Sequence, residues 1–293
     1  MPQVVFPGGE RWPALGLGTW RMGETRTARG AEVAALRAAL DIGWRVIDTA
    51  EMYGEGGAEE VVGEALAGAL ASGTVARDDV FVVSKVYPHH ASRAGLLAAC
   101  ERSRRRLRLD TIDLYLLHWR GSVPLAETVA GLAELQRRGW IRRWGVSNFD
   151  VDDMEELFAL RGAADANLGC ATNQVYYSLA TRGVEFDLLP WMRERGLPLM
   201  AYCPIGQGAL AGAKAPPALR NVAARHGATP VQVALAALLA EGGVMAIPKA
   251  ARETHLRENW QALALGGALD ADDRAALDRA FPRPERKQPL AMT

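Results

Sequence analysis

Four polar residues stand where short apolar runs end: Asp48 closes WRVID, Tyr53 follows in AEMYG, Lys85 ends VFVVSK and His118 ends IDLYLLH. A polar side chain at the exit of a buried run is costly unless it is paired or used, so four in succession point to one shared site. Their chemistries complement one another. An acid holds a lysine charged, a charged lysine lowers the pKa of a tyrosine, and a histidine orients a substrate oxygen beside that tyrosine. Such a set can protonate an oxygen without a metal.

The lysine is informative in its own right. The chain has four lysines, Lys85, Lys214, Lys249 and Lys287, against thirty arginines. Where arginine is the ordinary cation, a retained lysine suggests work that needs a compact, tunable charge. This singles out Lys85 and Lys249, both at the ends of strand-like runs, and leaves Lys214 and Lys287 as solvated surface residues.

Something must bring these side chains together. Apolar strand candidates recur at 15–19, 45–48, 80–85, 112–118, 144–147, 171–174, 199–202 and 244–247. Between them apolar residues return at helical spacing, as in Leu96, Cys100, Ser103 and Leu107, or Met154, Leu157, Phe158 and Arg161. Strand then helix, eight times, predicts a closed parallel (β/α)8 TIM barrel, in which strand ends converge on one mouth. Residues 4–12, with Pro7-Gly8-Gly9 at the turn, predict an N-terminal β-hairpin plugging the floor. Thr229-Pro230 and Asp150 read as helix starts, and helical patterns at 252–263 and 271–281 add extra C-terminal helices. An open dinucleotide-binding sheet is disfavoured, because Gly16 and Gly18 are followed by Arg21 and no third glycine completes GxGxxG.

Composition bounds the function. The 293 residues, 49% hydrophobic, read as one domain over 1–293 with a sizeable core. Thirty-four basic and 34 acidic residues leave no field favouring nucleic acid or an anionic membrane. Three cysteines, Cys100, Cys170 and Cys203, lack metal-type spacing and suit a reducing compartment, so a cytoplasmic location is expected. The first ten residues lack a secretory signal pattern, and no apolar run approaches the roughly 20 residues of a membrane span.

With these residues in place, the chain resembles the aldo-keto reductase family, particularly its bacterial methylglyoxal and diketogulonate reductases. The matching segments are LGLGTW (15–20), DTAEMYG (48–54), SKV (84–86), LLHW (116–119), GVSNF (145–149), NQV (173–175), AYCPIGQG (201–208), IPKA (247–250) and REN (257–259). Nine in order cover nearly the whole chain. The resemblance implies an NADPH-dependent reductase of aldehydes or reactive ketones, with Asp48, Tyr53, Lys85 and His118 catalytic and Tyr53 the proton donor. It implies cofactor contacts from Thr19, Trp20, Ser147, Asn148, Gln174 and Tyr202, from Cys203, Ile205 and Gln207 after the seventh strand, and from Lys249, His255, Glu258 and Asn259 around the adenosine phosphate. Trp20, Tyr87 and Trp119 would wall the substrate pocket. Many members carry arginine where this chain has His255, a residue only partly charged near neutral pH, which leaves NADH as a weaker alternative. A monomer is the family default, and a short tail beyond Phe281 implies an open pocket. The alternative function is a cofactor-binding regulatory subunit of the same fold.

Two further patterns have plainer explanations. The arginine-rich run at 102–108 reads as a solvated helix face rather than a phosphate strip. His89 and His90, with His118 and Glu51, lack the spacing of a metal site, so no metal is expected.

Overall fold

The chain opens with the expected hairpin. Strand β1 (Gln3–Val5) pairs antiparallel with β2 (Arg11–Pro13), setting Val4 opposite Trp12. Gly8 and Gly9, both left-handed, make the turn between them. Phe6 and Trp12 then pack on Phe81, with ring centroids 5.2 and 5.0 Å away. Phe81 begins a barrel strand, so the hairpin closes the barrel's amino-terminal end. Arg143 secures it by donating to Glu10 (2.7 Å) and to the Pro7 carbonyl (2.5 Å).

Eight parallel strands follow: β3 (Leu17–Gly18), β4 (Val46–Asp48), β5 (Phe81–Val86), β6 (Ile112–Leu117), β7 (Ile141–Ser147), β8 (Cys170–Tyr176), β9 (Leu199–Tyr202) and β10 (Val244–Ala246). Each hydrogen-bonds its sequence neighbour, from β3 to β10. The first and last are joined by bridges Leu15–Ala246 and Gly18–Lys249, which close the barrel. This computed structural model describes residues 1–160, 162, 163, 165 and 168–293; Arg161, expected on a helix face, lies outside the described residues. Closure requires small residues at the seam. A β-carbon at Gly18 would meet the Ile247 carbonyl oxygen at 2.9 Å, and one at Gly16 would meet Val46 at 2.8 Å.

Helices α1 (Arg26–Ile42), α2 (Gly57–Ala71), α3 (Arg93–Leu107), α4 (Leu125–Arg137), α5 (Val151–Ala159) and α6 (Leu188–Glu194) return the chain between strands. They are followed by α7 (Pro217–Arg225), α8 (Pro230–Ala240), α9 (Glu253–Leu265) and α10 (Ala271–Ala280). The start signals act as expected. Thr229 forms a reciprocal capping box with Gln232 at α8, and Asp150 one with Asp153 at α5. Beside the main core, Leu219, Val222, Leu277 and Phe281 form a satellite core that holds α7 and α10 together.

Strand β7 begins three residues earlier than expected. Ile141 pairs with Ile112, while the charged Arg142 and Arg143 that mask the pattern point to opposite faces, Arg142 to Asp78 and Arg143 to Glu10 of the hairpin at the barrel floor. Every residue of β5 and β6 is buried, as in a sheet covered on both faces. Ser84 donates to Glu59 of α2 (2.6 Å), so its side faces the helices. Alternation then turns Lys85 into the barrel.

Candidate active site

Inside the mouth, Lys85 is fully buried and its ammonium donates three hydrogen bonds: to Asp48 Oδ2 (2.7 Å), to the Thr49 carbonyl (2.9 Å) and to the Tyr53 hydroxyl (3.2 Å). The other Asp48 oxygen accepts from Gln174 Nε2 at 2.7 Å, and Thr19 Oγ1 donates to the Asp48 carbonyl at 3.0 Å. The acid is therefore held from β5 and β8, and its backbone from Thr19 just past β3. Because the Tyr53 oxygen accepts from Lys85, its own proton is left for the mouth.

Electrostatics correct one expectation. Tyr53 was expected to be lowered by Lys85, but burial first, and then the charge on Asp48, push its phenol well above the ordinary value of 10. Desolvation disfavours the phenolate, so at rest the group keeps its proton. Lys85 is itself lowered by burial, which Asp48 opposes. His118 is held well below the ordinary histidine value, by burial and then by the Lys85 charge, so its ring is neutral.

Among the described residues no group bonds the buried His118 Nδ1. Packing orients the ring, with Tyr53 edge-on at 5.8 Å and Trp119 at 5.0 Å. The depressed pKa carries a stability consequence. An unfolded histidine takes a proton near pH 6.5 and the folded one refuses it, so His118 makes the protein lose stability as pH falls below about 6.5. Denaturant titrations of His118→Gln are therefore expected to show a shallower loss of unfolding free energy between about pH 6.5 and 5; an unchanged slope would contradict the assignment.

Asp48, Tyr53 and His118 open onto a cleft of about 490 Å3 across the mouth, with Lys85 buried behind them. Trp20, Ser147, Asn148, Gln174 and Tyr202 line it, as do Cys203, Ile205, Gln207 and Lys249. Trp119 also lines it. Tyr202 donates to Asn148 Oδ1 (2.8 Å), Asn148 Nδ2 donates to the His118 carbonyl (3.1 Å), and Ser147 donates to the Gln174 carbonyl (2.7 Å). One mesh thus fixes the amides, the aromatic ring and the histidine backbone. Along the cleft, Gly206, Gln207 and Gly208 are successively left-handed, and a β-carbon on Gly208 would meet nothing within 4 Å, so this loop leaves open space. Among the described residues no carboxylate pairs with Lys249. The guanidinium of Arg21 stands 4.4 Å from the Trp20 ring.

Other expected residues stand elsewhere. Thr19 is buried beneath Asp48. Tyr87 does not line the cleft; it stands behind Trp119, ring edge to face at 6.1 Å, with its hydroxyl on Glu55 (2.9 Å). His255, Glu258 and Asn259, on α9, do not line it either. Glu258 accepts from Thr229 (2.6 Å), Asn259 is buried, and His255 contacts Arg252 (2.8 Å).

The tail also departs from expectation. Arg283 pairs with Glu185 (2.8 Å) and Glu241 (2.6 Å), and Lys287, expected to be merely solvated, binds Asp150 (2.5 Å) and Asp187 (2.6 Å). The chain then reaches the mouth, where Met292 and Thr293 line the cleft, so the tail covers part of the pocket. No local pattern announces this, because Lys287 and Asp150 lie 137 residues apart. The arginine run is likewise not all solvated: Arg102 approaches buried Glu51 (3.5 Å) and Arg106 buried Glu59 (3.1 Å). Among the described residues no three metal-ligating side chains converge, and no helix is long and apolar enough to cross a membrane.

A barrel whose mouth combines a proton-holding tyrosine, a buried ammonium and a cleft lined by Arg21 and Lys249 belongs among the carbonyl-reducing oxidoreductases. The model of the Aldo/keto reductase family matches residues 14–281, and the chain belongs to that family. It is 48% identical over 291 residues to methylglyoxal reductase YeaE of Escherichia coli (strain K12), spanning 99% of this chain and 98% of that one. A crystal structure of an aldo/keto reductase from Klebsiella pneumoniae, in complex with NADP and acetate, superposes with a TM-score of 0.91 at 48% identity, covering 100% of this chain and 99% of that one. A Klebsiella pneumoniae aldo-keto reductase in complex with NADPH gives 0.90 at 48% identity, covering 99% of each.

Proposed function

We propose that this enzyme reduces small aldehydes and dicarbonyl compounds of the methylglyoxal type to alcohols, using NADPH. The observation that carries this reading is the Asp48–Lys85–Tyr53 chain of hydrogen bonds at the base of the cleft. Bound in the cleft, the cofactor would supply the hydride. The residues fit such a group: Tyr202 offers an aromatic face, Ser147, Asn148 and Gln174 offer donors and acceptors for a carboxamide, and the loop 205–208 offers open backbone. Lys249 and Arg21 offer cationic groups for its phosphates, and His255, Glu258 and Asn259, which follow Lys249 in the chain on α9, would be the residues nearest in sequence to meet its adenosine end.

The proton comes from the protein. Negative charge grows on the substrate oxygen as the carbonyl carbon is reduced, and Tyr53 gives up its proton to that oxygen. The phenolate so formed faces the buried Lys85 ammonium at 3.2 Å, a fixed positive charge already in place where negative charge develops. Resting Tyr53 holds its proton, and Lys85 acts when the phenolate appears. Neutral His118 aligns the carbonyl, while Trp20, Trp119 and Met292 enclose it. Cys100, Cys170 and Cys203 are all free thiols, which suits a reducing compartment such as the cytoplasm.

Steady-state assays test the reading. Purified protein is expected to consume NADPH with methylglyoxal, and with kcat/KM about tenfold higher than with NADH, the worth of one charge-assisted contact. No NADPH consumption with methylglyoxal or any of a broad carbonyl panel would refute it.

A further inference from the structure

Glu51 lies between Asp48 and Tyr53, yet it does not touch the cleft. We propose that it is a positioning residue, whose buried carboxylate clips the loop after β5 to the loop after β4 and thereby holds the carbonyl-facing wall. The proposal rests on the carbonyl-reducing reading above.

The geometry is specific. The Glu51 side chain is 3% exposed. Its Oε1 accepts from the Tyr87 backbone N–H at 2.6 Å and faces His90 Nδ1 at 3.1 Å, while Oε2 is 3.5 Å from Arg102 of α3. A buried carboxylate with such partners serves geometry, because burial of its charge is otherwise costly. The same loop grips Tyr87 a second time, for Glu55 accepts from its hydroxyl at 2.9 Å. Left-handed Gly54 and Glu55 set that side chain's direction.

From Tyr87 a chain of rings leads back to the chemistry. Tyr87 stands edge to face against Trp119 (6.1 Å), Trp119 lies beside His118 (5.0 Å), and His118 stands edge-on to Tyr53 (5.8 Å). With Nδ1 unbonded, His118 depends on this packing for its orientation. Glu51 therefore acts on the carbonyl through Tyr87, Trp119 and His118, on the side of the cleft away from Lys249.

The test separates this role from general stability. In Glu51→Ala, kcat/KM for methylglyoxal is expected to fall about 30-fold, as loss of alignment at the reacting atoms implies, with the NADPH Kd unchanged within about twofold. Glu51→Gln keeps an oxygen for the Tyr87 N–H and is expected to recover to within about fivefold of the parent. An alanine variant as active as the parent, equal loss in the two variants, or parallel loss of NADPH binding would each overturn the proposal. Should Glu51→Ala not fold, Glu51→Asp keeps the charge but draws the carboxylate back from the Tyr87 backbone N–H and is expected to lose about tenfold in kcat/KM with the NADPH Kd unchanged, and no loss would overturn the proposal. The imidazole Cε1–H resonance of His118 reads the same clip without turnover, shifting in Glu51→Ala and returning in Glu51→Gln; an unmoved resonance overturns the proposal. An inactive parent protein would instead count against the carbonyl-reducing reading.

Discussion

Replacing Asp48 with alanine is expected to destabilise the folded protein by about 3–5 kcal/mol at neutral pH, because it strands a buried ammonium without its counter-charge. Lys85 would keep only the Thr49 carbonyl and the Tyr53 hydroxyl, and Gln174 would lose its acceptor. The pH dependence follows in sign. Burial already lowers Lys85 below its ordinary 10.5, and Asp48 is the largest influence opposing that shift. Without Asp48 the folded pKa falls further, so the unfolded chain binds the proton more readily and the penalty is fullest at low pH. As pH rises, Lys85 of the folded variant gives up its proton before Lys85 of the folded parent does, so the destabilisation shrinks across that interval, which lies below the ordinary lysine value of 10.5. Denaturant unfolding of parent and variant at neutral and alkaline pH measures both effects. A pH-independent loss would mean that Asp48 contributes packing alone.

Tyr53→Phe is expected to produce the largest catalytic loss. General acid catalysis by a positioned side chain contributes about 10²–10⁴-fold, and the variant removes the acid without moving its neighbours. Phenylalanine fills the same volume, and Asp48 and Thr49 still accept from Lys85, so the fold is retained. Turnover is expected to fall by about 10³-fold or more. The loss should appear in kcat, since Tyr53 is needed only where charge develops on oxygen.

How much of this was legible depends on the range of the interactions. Asp48, Lys85 and His118 could be found because each ends its own apolar run, and Tyr53 because it follows Asp48 closely; barrel topology then brings strand ends together. The hairpin plug and both capping boxes are local, so turn and cap residues revealed them. Strand β7 was read short because the charged Arg142 and Arg143 mask its first residues, and the acids that pair with them, Asp78 and Glu10, lie far off in the sequence. The tail was misread because its anchors, Lys287 on Asp150 and Asp187, join residues 100 or more positions apart. The direction of the Tyr53 shift was missed for a different reason. A neighbouring lysine can be guessed from spacing, but the desolvation that outweighs it depends on the packing of the whole mouth.

The most direct measurement pairs binding and chemistry on the same samples. NADPH affinity is read from quenching of protein fluorescence, and the rate of a single turnover with methylglyoxal is read from loss of bound NADPH, in parent and Tyr53→Phe protein. The account predicts a Kd unchanged within about twofold and a single-turnover rate lower by about 10³-fold. A variant that turns over at the parent rate, or one whose affinity and rate fall together, would contradict the claim that Tyr53 delivers the proton.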